Sequence, residues 1–414
     1  MLKINNNVTS IVNGQQIVLL NFSNGRWIRT NKAYYNFIED KIKNNKDIYE
    51  IARRIDQQKA KVVVKILDGL LEIDYLIDDE QQRYQDCIEN VTFVLTHKCN
   101  LKCSHCIHNA APTAPDMLDL EAAKQIVLKI VEISPKNLTF SGGEPFIRKD
   151  FIELLAFTRE NFTGEIHVIS NGTVIPNESM KRLPQLVDVI SLSMDGYDKA
   201  SCEKIRGKGV YEKLIQKIKE LQDNGFTKIT LSQIITKDNS KNEEKFFELC
   251  EELSVVPMLR PLISDGRAKG DFSTENLVPT DMMFQELNGY RCRPGKREIM
   301  ISYNGDLFPC VNLVGENYKI GNVLENQKLL NELSRGILKW DTIDDFIESE
   351  RPYNNQRCKD CKVNLFCWEC VARFQAINKN EEKFQEFCDY KKKKLYQEIW
   401  GELFEHDNLV NGRL

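Results

Sequence analysis

The pattern of apolar and polar positions changes character along the chain. Up to about residue 80 it begins with short runs. Val8 to Val12, Ile17 to Phe22 and Arg26 to Arg29 read as strands, separated by Asn13-Gly14 and Asn24-Gly25. Asn-Gly favours the tight turn of a hairpin. Three helical stretches follow, about Lys32 to Lys43, Ile48 to Asp56 and Lys59 to Leu71, with Asn31 placed to cap the first. In the third, Val62, Val63, Ile66 and Leu67 form an apolar stripe, and Lys59, Lys61 and Lys65 a polar side. The order βββααα predicts a small separate unit over residues 1–80, with Asp78-Asp79-Glu80 opening a linker.

From residue 90 to about 263 strand and helix patterns alternate. Val91 to Leu95, Leu138 to Phe140, Ile166 to Ile169, Val187 to Ser193, Lys228 to Ile235 and Val255 to Leu262 read as strands. Between them, Leu118 to Ile133 carries Leu120, Ala123, Val127 and Ile130 on one stripe, and Val210 to Asp223 is similar. Such alternation predicts an α/β fold with a parallel sheet, curled into a partial (β/α)6 barrel over residues 88–265, with reactive loops at the C-terminal strand ends. Regularity then fades. A cysteine-rich domain is expected over residues 285–395, Gln385 to Phe404 reads as a terminal helix, and residues 396–414 are the C-terminal helix end and tail.

The chain has 414 residues, 42% hydrophobic and 29% charged, with a net charge of −4. Nothing in that balance points to nucleic acid or to an anionic membrane. The N-terminus lacks the pattern of a signal peptide, and no apolar run approaches the ~18 residues of a membrane span, so a cytoplasmic location is expected. Against that background thirteen cysteines stand out. A reducing compartment disfavours disulfides, and ten of the cysteines fall into two spaced groups, which argues for metal. Cys87, Cys202 and Cys250 stand alone and read as small buried hydrophobes.

The first group is Cys99, Cys103 and Cys106, spaced C-x3-C-x2-C in the loop after the first barrel strand. Three thiolates on a four-iron cluster leave one iron open for chemistry, whereas a structural metal site would close with a fourth ligand. After the second strand comes Ser141-Gly142-Gly143-Glu144-Pro145. Its glycines allow close backbone approach, and Glu144 adds negative charge suited to an ammonium. Together these motifs resemble the radical S-adenosylmethionine (radical SAM) enzymes. The resemblance implies that the cofactor's amino acid end chelates the open iron. One electron then splits it into methionine and a 5′-deoxyadenosyl radical that abstracts a substrate hydrogen. It further implies that Gly142, Gly143 and Glu144 meet the cofactor's amino group and His105 its adenine. Asn171, in Ser170-Asn171-Gly172, would meet the ribose, and Ser193 and Arg206 the carboxylate. Each of these polar residues is also compatible with ordinary turn or loop chemistry. An electron donor such as a flavodoxin or ferredoxin is implied as a partner.

The second group is Cys292, Cys310, Cys358, Cys361, Cys367, Cys370 and Cys388. With Gly305 standing five residues before Cys310, it resembles the SPASM auxiliary-cluster domain; the dense segment alone would also suit a zinc ribbon. The resemblance implies two auxiliary clusters, hence three [4Fe–4S] clusters per chain. Following the family's interleaved ligation, Cys358, Cys361, Cys367 and Cys388 would close the outer one. Cys292, Cys310 and Cys370 would hold the inner one, a cysteine short. Another side chain or water could fill that place; alternatively a substrate atom could bind there, and a thiolate is the natural candidate, since soft sulfur suits such iron. The N-terminal βββααα order resembles the winged-helix-like leader-binding domain of peptide-modifying enzymes (the RiPP recognition element), which implies β-augmentation by the leader of a precursor peptide. The expected function is therefore a radical SAM maturase of a ribosomally made peptide, most specifically a former of Cys thioethers. A carbon–carbon crosslink, an epimerisation or a formylglycine-type protein maturation are alternatives, and a zinc-containing peptide-binding protein is the alternative outside enzymes. No general base or acid is identified; Tyr303 and Asp306 are candidates, although Asn304-Gly305-Asp306 also reads as a turn.

Overall fold

The computed structural model describes residues 2–44, 46, 48–78, 87–114, 118–271, 274–279, 292–367 and 369–401. The strands are β1 (Leu2–Ile4), β2 (Val8–Asn13), β3 (Gln16–Asn21), β4 (Trp27–Asn31), β5 (Leu76–Asp78), β6 (Asn90–Val94), β7 (Asn137–Ser141), β8 (Glu165–Ser170), β9 (Val189–Ser193), β10 (Ile229–Ile235), β11 (Val256–Pro261), β12 (Glu298–Ile301), β13 (Asp306–Phe308) and β14 (Gly321–Asn322).

In the N-terminal region β2, β3 and β4 form an antiparallel sheet, followed by helices Lys32–Lys43, Ile48–Ala52 and Gln57–Glu72. The Asn31 side chain accepts from Ala33 N at 2.8 Å and caps the first helix. The second helix stops short of Asp56 because that side chain caps the third, accepting from Gln58 N and Lys59 N. A further antiparallel pair, β1 with β5, joins the two ends of the unit. Three residues a side are too few to leave a period in the sequence. The central strand β3 is buried on both faces. Ile17 and Leu19 pack on Tyr34, Ile38, Val63 and Leu67 of the unit's own helices. Val18 and Leu20 pack on Val363, Leu365, Phe366, Leu395, Ile399 and Trp400. The unit is thus not separate: its sheet is a layer between its helices and the cysteine-rich end of the chain. Residues 79 and 80 of the expected linker lie outside the described residues.

The central region is a parallel sheet in the order β11-β10-β9-β8-β7-β6. Phe93 stands opposite Phe140, and Leu138 opposite Ile166. Helices Leu120–Glu132, Phe151–Asn161, Val210–Asp223 and Glu243–Glu252 bury one stripe each in the core shared with this sheet. The first begins at Leu120 because Asp119 caps it, accepting from Ala122 N at 2.8 Å. Phe93 and Phe140 are fully buried, with ring centroids 6.1 Å apart; truncating either to alanine is worth about 3–5 kcal/mol. This is mixed α/β architecture consistent with a partial barrel of βα units.

The sheet does not end at β6. Strand β12 adds to it in parallel, Glu298 opposite Asn90 and Ile301 opposite Phe93, and β13 and β14 follow antiparallel. The last helix, Glu381–Tyr396, starts earlier than its apolar pattern because Asn380 caps it, and it continues as a wider turn over Gln397–Gly401. Residues 402–414, the expected helix end and tail, lie outside the described residues. No helix among those described is long and apolar enough to cross a membrane.

Candidate functional site

The C-terminal ends of the parallel strands open onto a cavity of about 500 Å³. Cys99, Cys103 and Cys106 line it, with His105, Gly142, Gly143, Asn171, Ser193 and Arg206. Cys292, Cys310 and Cys370 line the same cavity. Two cysteine triads almost two hundred positions apart in sequence therefore share one chamber. All thirteen cysteines are free thiols. Of the three lone ones, Cys202 and Cys250 are buried, but Cys87 is exposed. It precedes β6 outside the packed sheet, so reading it as a core residue is corrected.

The cysteine loop is held by backbone bonds and by one arginine. Cys99 N donates to Ala111 O at 3.2 Å, and Ala111 N to His97 O at 3.2 Å. Arg267 donates from Nε to Cys103 O at 2.9 Å and from Nη2 to Ala110 O at 2.7 Å. Nothing in the local sequence flags Arg267; only the return of the chain after β11 brings it there. Burial pushes the Cys99 thiol up to about 11 and raises Cys103 as well, with Arg206 opposing the shift at Cys103. These are thiols that a metal would have to deprotonate.

The glycines after β7 serve a close approach. A Cβ on Gly142 would stand 2.5 Å from Thr96 O, and one on Gly143 2.1 Å from Lys98 O. The loop lies flat on the segment leading into Cys99, with Gly143 N on Thr96 O at 2.6 Å and Glu144 N on Lys98 O at 2.9 Å. Glu144 itself is turned away from the cavity and fully buried. Its carboxylate accepts from Asn171 N at 2.7 Å, Ser170 Oγ at 2.8 Å and Phe146 N at 3.1 Å. Burial pushes it up to about 7 despite these donors. The residue ties the β7 loop to the end of β8. Asn171 continues that chain, with Nδ2 on Asn100 Oδ1 at 2.9 Å and on Cys99 Sγ at 3.7 Å.

His105 and Arg206 converge on a residue that sequence reasoning passed over. Asp195 holds His105 Nε2 at 2.5 Å and Arg206 Nη2 at 2.5 Å on one oxygen, and accepts from Ile234 N at 2.7 Å on the other. Its φ of +59° is unusual for a non-glycine residue. Burial raises its carboxyl, but the charges of Arg206 and His105 outweigh that and leave it well below the usual carboxylate range. Arg206 Nη1 also reaches Cys103 Sγ at 3.9 Å, while its buried Nε has no partner among the described residues. A buried guanidinium N–H without an acceptor, beside three thiols in a cavity wall, fits a carboxylate ligand chelated next to a cluster.

The C-terminal cysteines divide in two. Cys358, Cys367 and Cys388 line a separate small cavity with Glu369, Phe374, Phe387 and Lys391, and Cys361 packs beside them. There Glu369 binds Lys391 Nζ at 2.6 Å and Arg373 Nη1 at 3.0 Å. The other three belong to the main cavity, where Cys292 Sγ lies 2.5 Å from Glu298 Oε1. Burial raises Cys292 and Cys310 well above the ordinary thiol value, and Glu298 adds to both shifts. Among the described residues no three Cys, His, Asp or Glu side chains converge as they would on a single ion. Neither proton-transfer candidate lines the cavity. Asp306 is engaged by Lys319 Nζ, Asn304 Nδ2 and Asn322 Nδ2, each at 2.8 Å, and the Tyr303 ring packs on His97 at 4.1 Å.

Comparison with known proteins finds two family patterns in the chain. The radical SAM superfamily pattern matches residues 93–253, and the iron–sulfur cluster-binding SPASM pattern residues 292–362. The mycofactocin maturase MftC of Mycolicibacterium smegmatis is 24% identical over 306 residues, covering 66% of this chain and 74% of that protein. The antilisterial bacteriocin subtilosin biosynthesis protein AlbA of Bacillus subtilis is 22% identical over 338 residues, covering 75% of this chain and 72% of that one. Among solved structures, Streptococcus suis SuiB superposes with a TM-score of 0.54 at 16% identity over 93% of this chain and 98% of its own. The enzyme anSMEcpe, solved with bound AdoMet, superposes with a TM-score of 0.53 at 16% identity over 74% and 98%. At these identities the superpositions speak for the fold. The chain carries a radical SAM domain, which binds SAM and a four-iron cluster, followed by a SPASM domain, which binds auxiliary iron–sulfur clusters.

Proposed function

We propose that this protein is a radical SAM maturase of a ribosomally made peptide, and that its product is a Cys thioether. The observation that carries the reading is the single chamber lined by both the Cys99 triad and the Cys292 triad. A hydrogen-abstracting site and a second iron–sulfur site that open onto one space can act on two residues of one substrate. Relatives named as maturases of mycofactocin and makers of subtilosin support a peptide substrate.

When bound, SAM and the clusters supply a radical able to take hydrogen from an unactivated carbon, together with an electron sink. The protein's own part is placement. In this reading Cys99, Cys103 and Cys106 hold the SAM cluster, Arg206 faces the cofactor carboxylate, and Asp195 fixes both Arg206 and His105. Gly142, Gly143, Asn171 and Ser193 complete the wall, and Glu144 acts as a positioning residue. Cys358, Cys361, Cys367 and Cys388 hold an outer cluster, and Cys292, Cys310 and Cys370 an inner one. The leader peptide adds to an edge of the β2–β3–β4 sheet, where β2 and β4 each pair only with β3 among the described strands. A flavodoxin- or ferredoxin-type donor supplies electrons.

The test is anaerobic incubation of the reconstituted protein with SAM, dithionite and the precursor peptide encoded nearest its gene. The expected product has lost two hydrogens and has one cysteine fewer open to alkylation. A two-hydrogen loss with every cysteine still alkylatable overturns the thioether and leaves a carbon–carbon crosslink. No SAM cleavage at all overturns the enzyme reading.

A further inference from the structure

We propose that the Glu298 carboxylate is the fourth protein ligand of the inner auxiliary cluster, in the place of the missing cysteine. The inference rests on the reading above that Cys292, Cys310 and Cys370 hold that cluster.

The backbone makes the arrangement first. Cys292 and Glu298 flank a tight turn in which Pro294 bridges to Glu298. Gly295 N donates to Glu298 O at 2.8 Å and to Pro309 O at 2.9 Å, which draws the turn against the residue before Cys310. Gly295 has φ +77°, and a Cβ there would stand 2.1 Å from the Trp340 ring, so the turn is shaped for glycine. Glu298 is also the first residue of β12, and its ladder position opposite Asn90 fixes where its side chain begins.

The side chains complete it. Glu298 Oε1 is 2.5 Å from Cys292 Sγ, and Glu298 lines the chamber together with Cys310 and Cys370. Among the described residues Glu298 has no ion-pair partner within 4 Å. The Cys292 thiol donates to that carboxylate oxygen; a buried carboxylate facing thiols is better matched by a shared cation than by this neutral donor alone. Arg351 gives a second sign of something absent. It is buried, donates from Nη2 to Cys292 O at 2.6 Å, and leaves Nε and Nη1 without partners among the described residues. An anionic cluster beside Cys292 would supply acceptors for those donors.

The chemistry of the ligand has a consequence for the thioether. Carboxylate oxygen is a harder, weaker donor to iron–sulfur iron than thiolate. Glu298 would close the site at rest and yield to a substrate thiolate.

The test uses the full chain reconstituted anaerobically with iron and sulfide, as wild type, E298Q, E298C and C292A. Iron content, electron paramagnetic resonance and midpoint potentials are read on each. Wild type is expected to hold about twelve irons. E298Q should lose about one of them and show a three-iron signal on oxidation. E298C should keep all of them, with a lower potential for one cluster. E298Q with wild-type iron, spectrum and potential overturns the assignment. If E298Q does not accumulate as folded protein, E298C decides, and an unchanged spectrum and potential there overturns it equally. C292A separates the two levels. A loss of about four irons in C292A with no effect at Glu298 defeats only the carboxylate, whereas no loss in C292A defeats the underlying reading of the cysteines.

Discussion

The two cysteine sets of the C-terminal third sit in different electrostatic surroundings. Around Cys358, Cys361, Cys367 and Cys388 the charges are already paired. Glu369 lies between Lys391 and Arg373, all three buried, and Lys391 holds the Cys367 thiol down against the burial that pushes it up to about 12. Around Cys292, Cys310 and Cys370 they are not. Among the described residues Glu298 faces the chamber without a salt bridge, and Arg351 has two nitrogens without a partner. The outer set carries four thiols and, away from the chamber, a carboxylate paired with two cations, of which Arg373 keeps one nitrogen, Nε, without a partner among the described residues. The inner set carries three thiols and, inside the chamber, a carboxylate with no such pairing. Under the proposed function, that difference would suit the outer set to holding and relaying and the inner set to meeting substrate.

That contrast can be broken at several points. The largest effect belongs to the chamber: C99A should abolish SAM cleavage under dithionite while keeping about eight of about twelve irons. C388A should disturb the outer cluster and leave SAM cleavage within a few-fold. Cleavage that survives C99A, or vanishes only in C388A, reverses the assignment. Next in size is the charge network. Glu369→Gln leaves Lys391 and Arg373 buried without their anion, a cost of about 3–5 kcal/mol, to be read as a lower denaturation midpoint. An unchanged midpoint would mean the network is no anchor.

Glu144 gives a smaller, pH-dependent effect. Its folded value of about 7 lies above the ordinary 4.5. The stability it contributes is therefore fully present below pH 4.5 and is lost as pH rises toward 7, by about 3 kcal/mol in the limit. Glu144→Gln should flatten that slope in urea melts of the cluster-free protein; an identical slope removes Glu144 as its source. The smallest effect is expected at Asp306. As a turn anchor it should cost about 1 kcal/mol when changed to Asn, with the pH profile of product formation unmoved. A displaced profile would restore it as a proton-transfer residue.

What could be read from the sequence was what is local. The C-x3-C-x2-C loop and the Gly-Gly-Glu loop each follow their own strand, so motif and element reinforce one another over a dozen residues. Asn31 and Val210 to Asp223 were legible for the same reason: a cap and a helical stripe are short-range patterns. The rest depends on distance in sequence. Asp195 acts on His105 across 90 positions and Arg267 on Cys103 across 164. Neither leaves a spacing to read. The place short of a cysteine was open to another side chain, but no spacing in the sequence points to Glu298. Glu144 shows a role that its motif did not announce: a residue whose charge suggested contact with the cofactor has a carboxylate that accepts from Phe146, Ser170 and Asn171 of the protein. Strand β12 was missed because four apolar-rich residues carry no period, and only pairing with β6 makes them a strand.

That pairing bears on how such proteins can be recombined. With β12 laddered onto β6 from Glu298 opposite Asn90 to Ile301 opposite Phe93, the boundary between the two domains runs through the middle of a sheet rather than along a tether. A chimera that grafts another auxiliary domain at the connecting segment would carry a foreign strand into a groove shaped by residues 90–93. Exchange of substrate range between relatives should then succeed only when β6 and β12 travel together, as a single inherited seam.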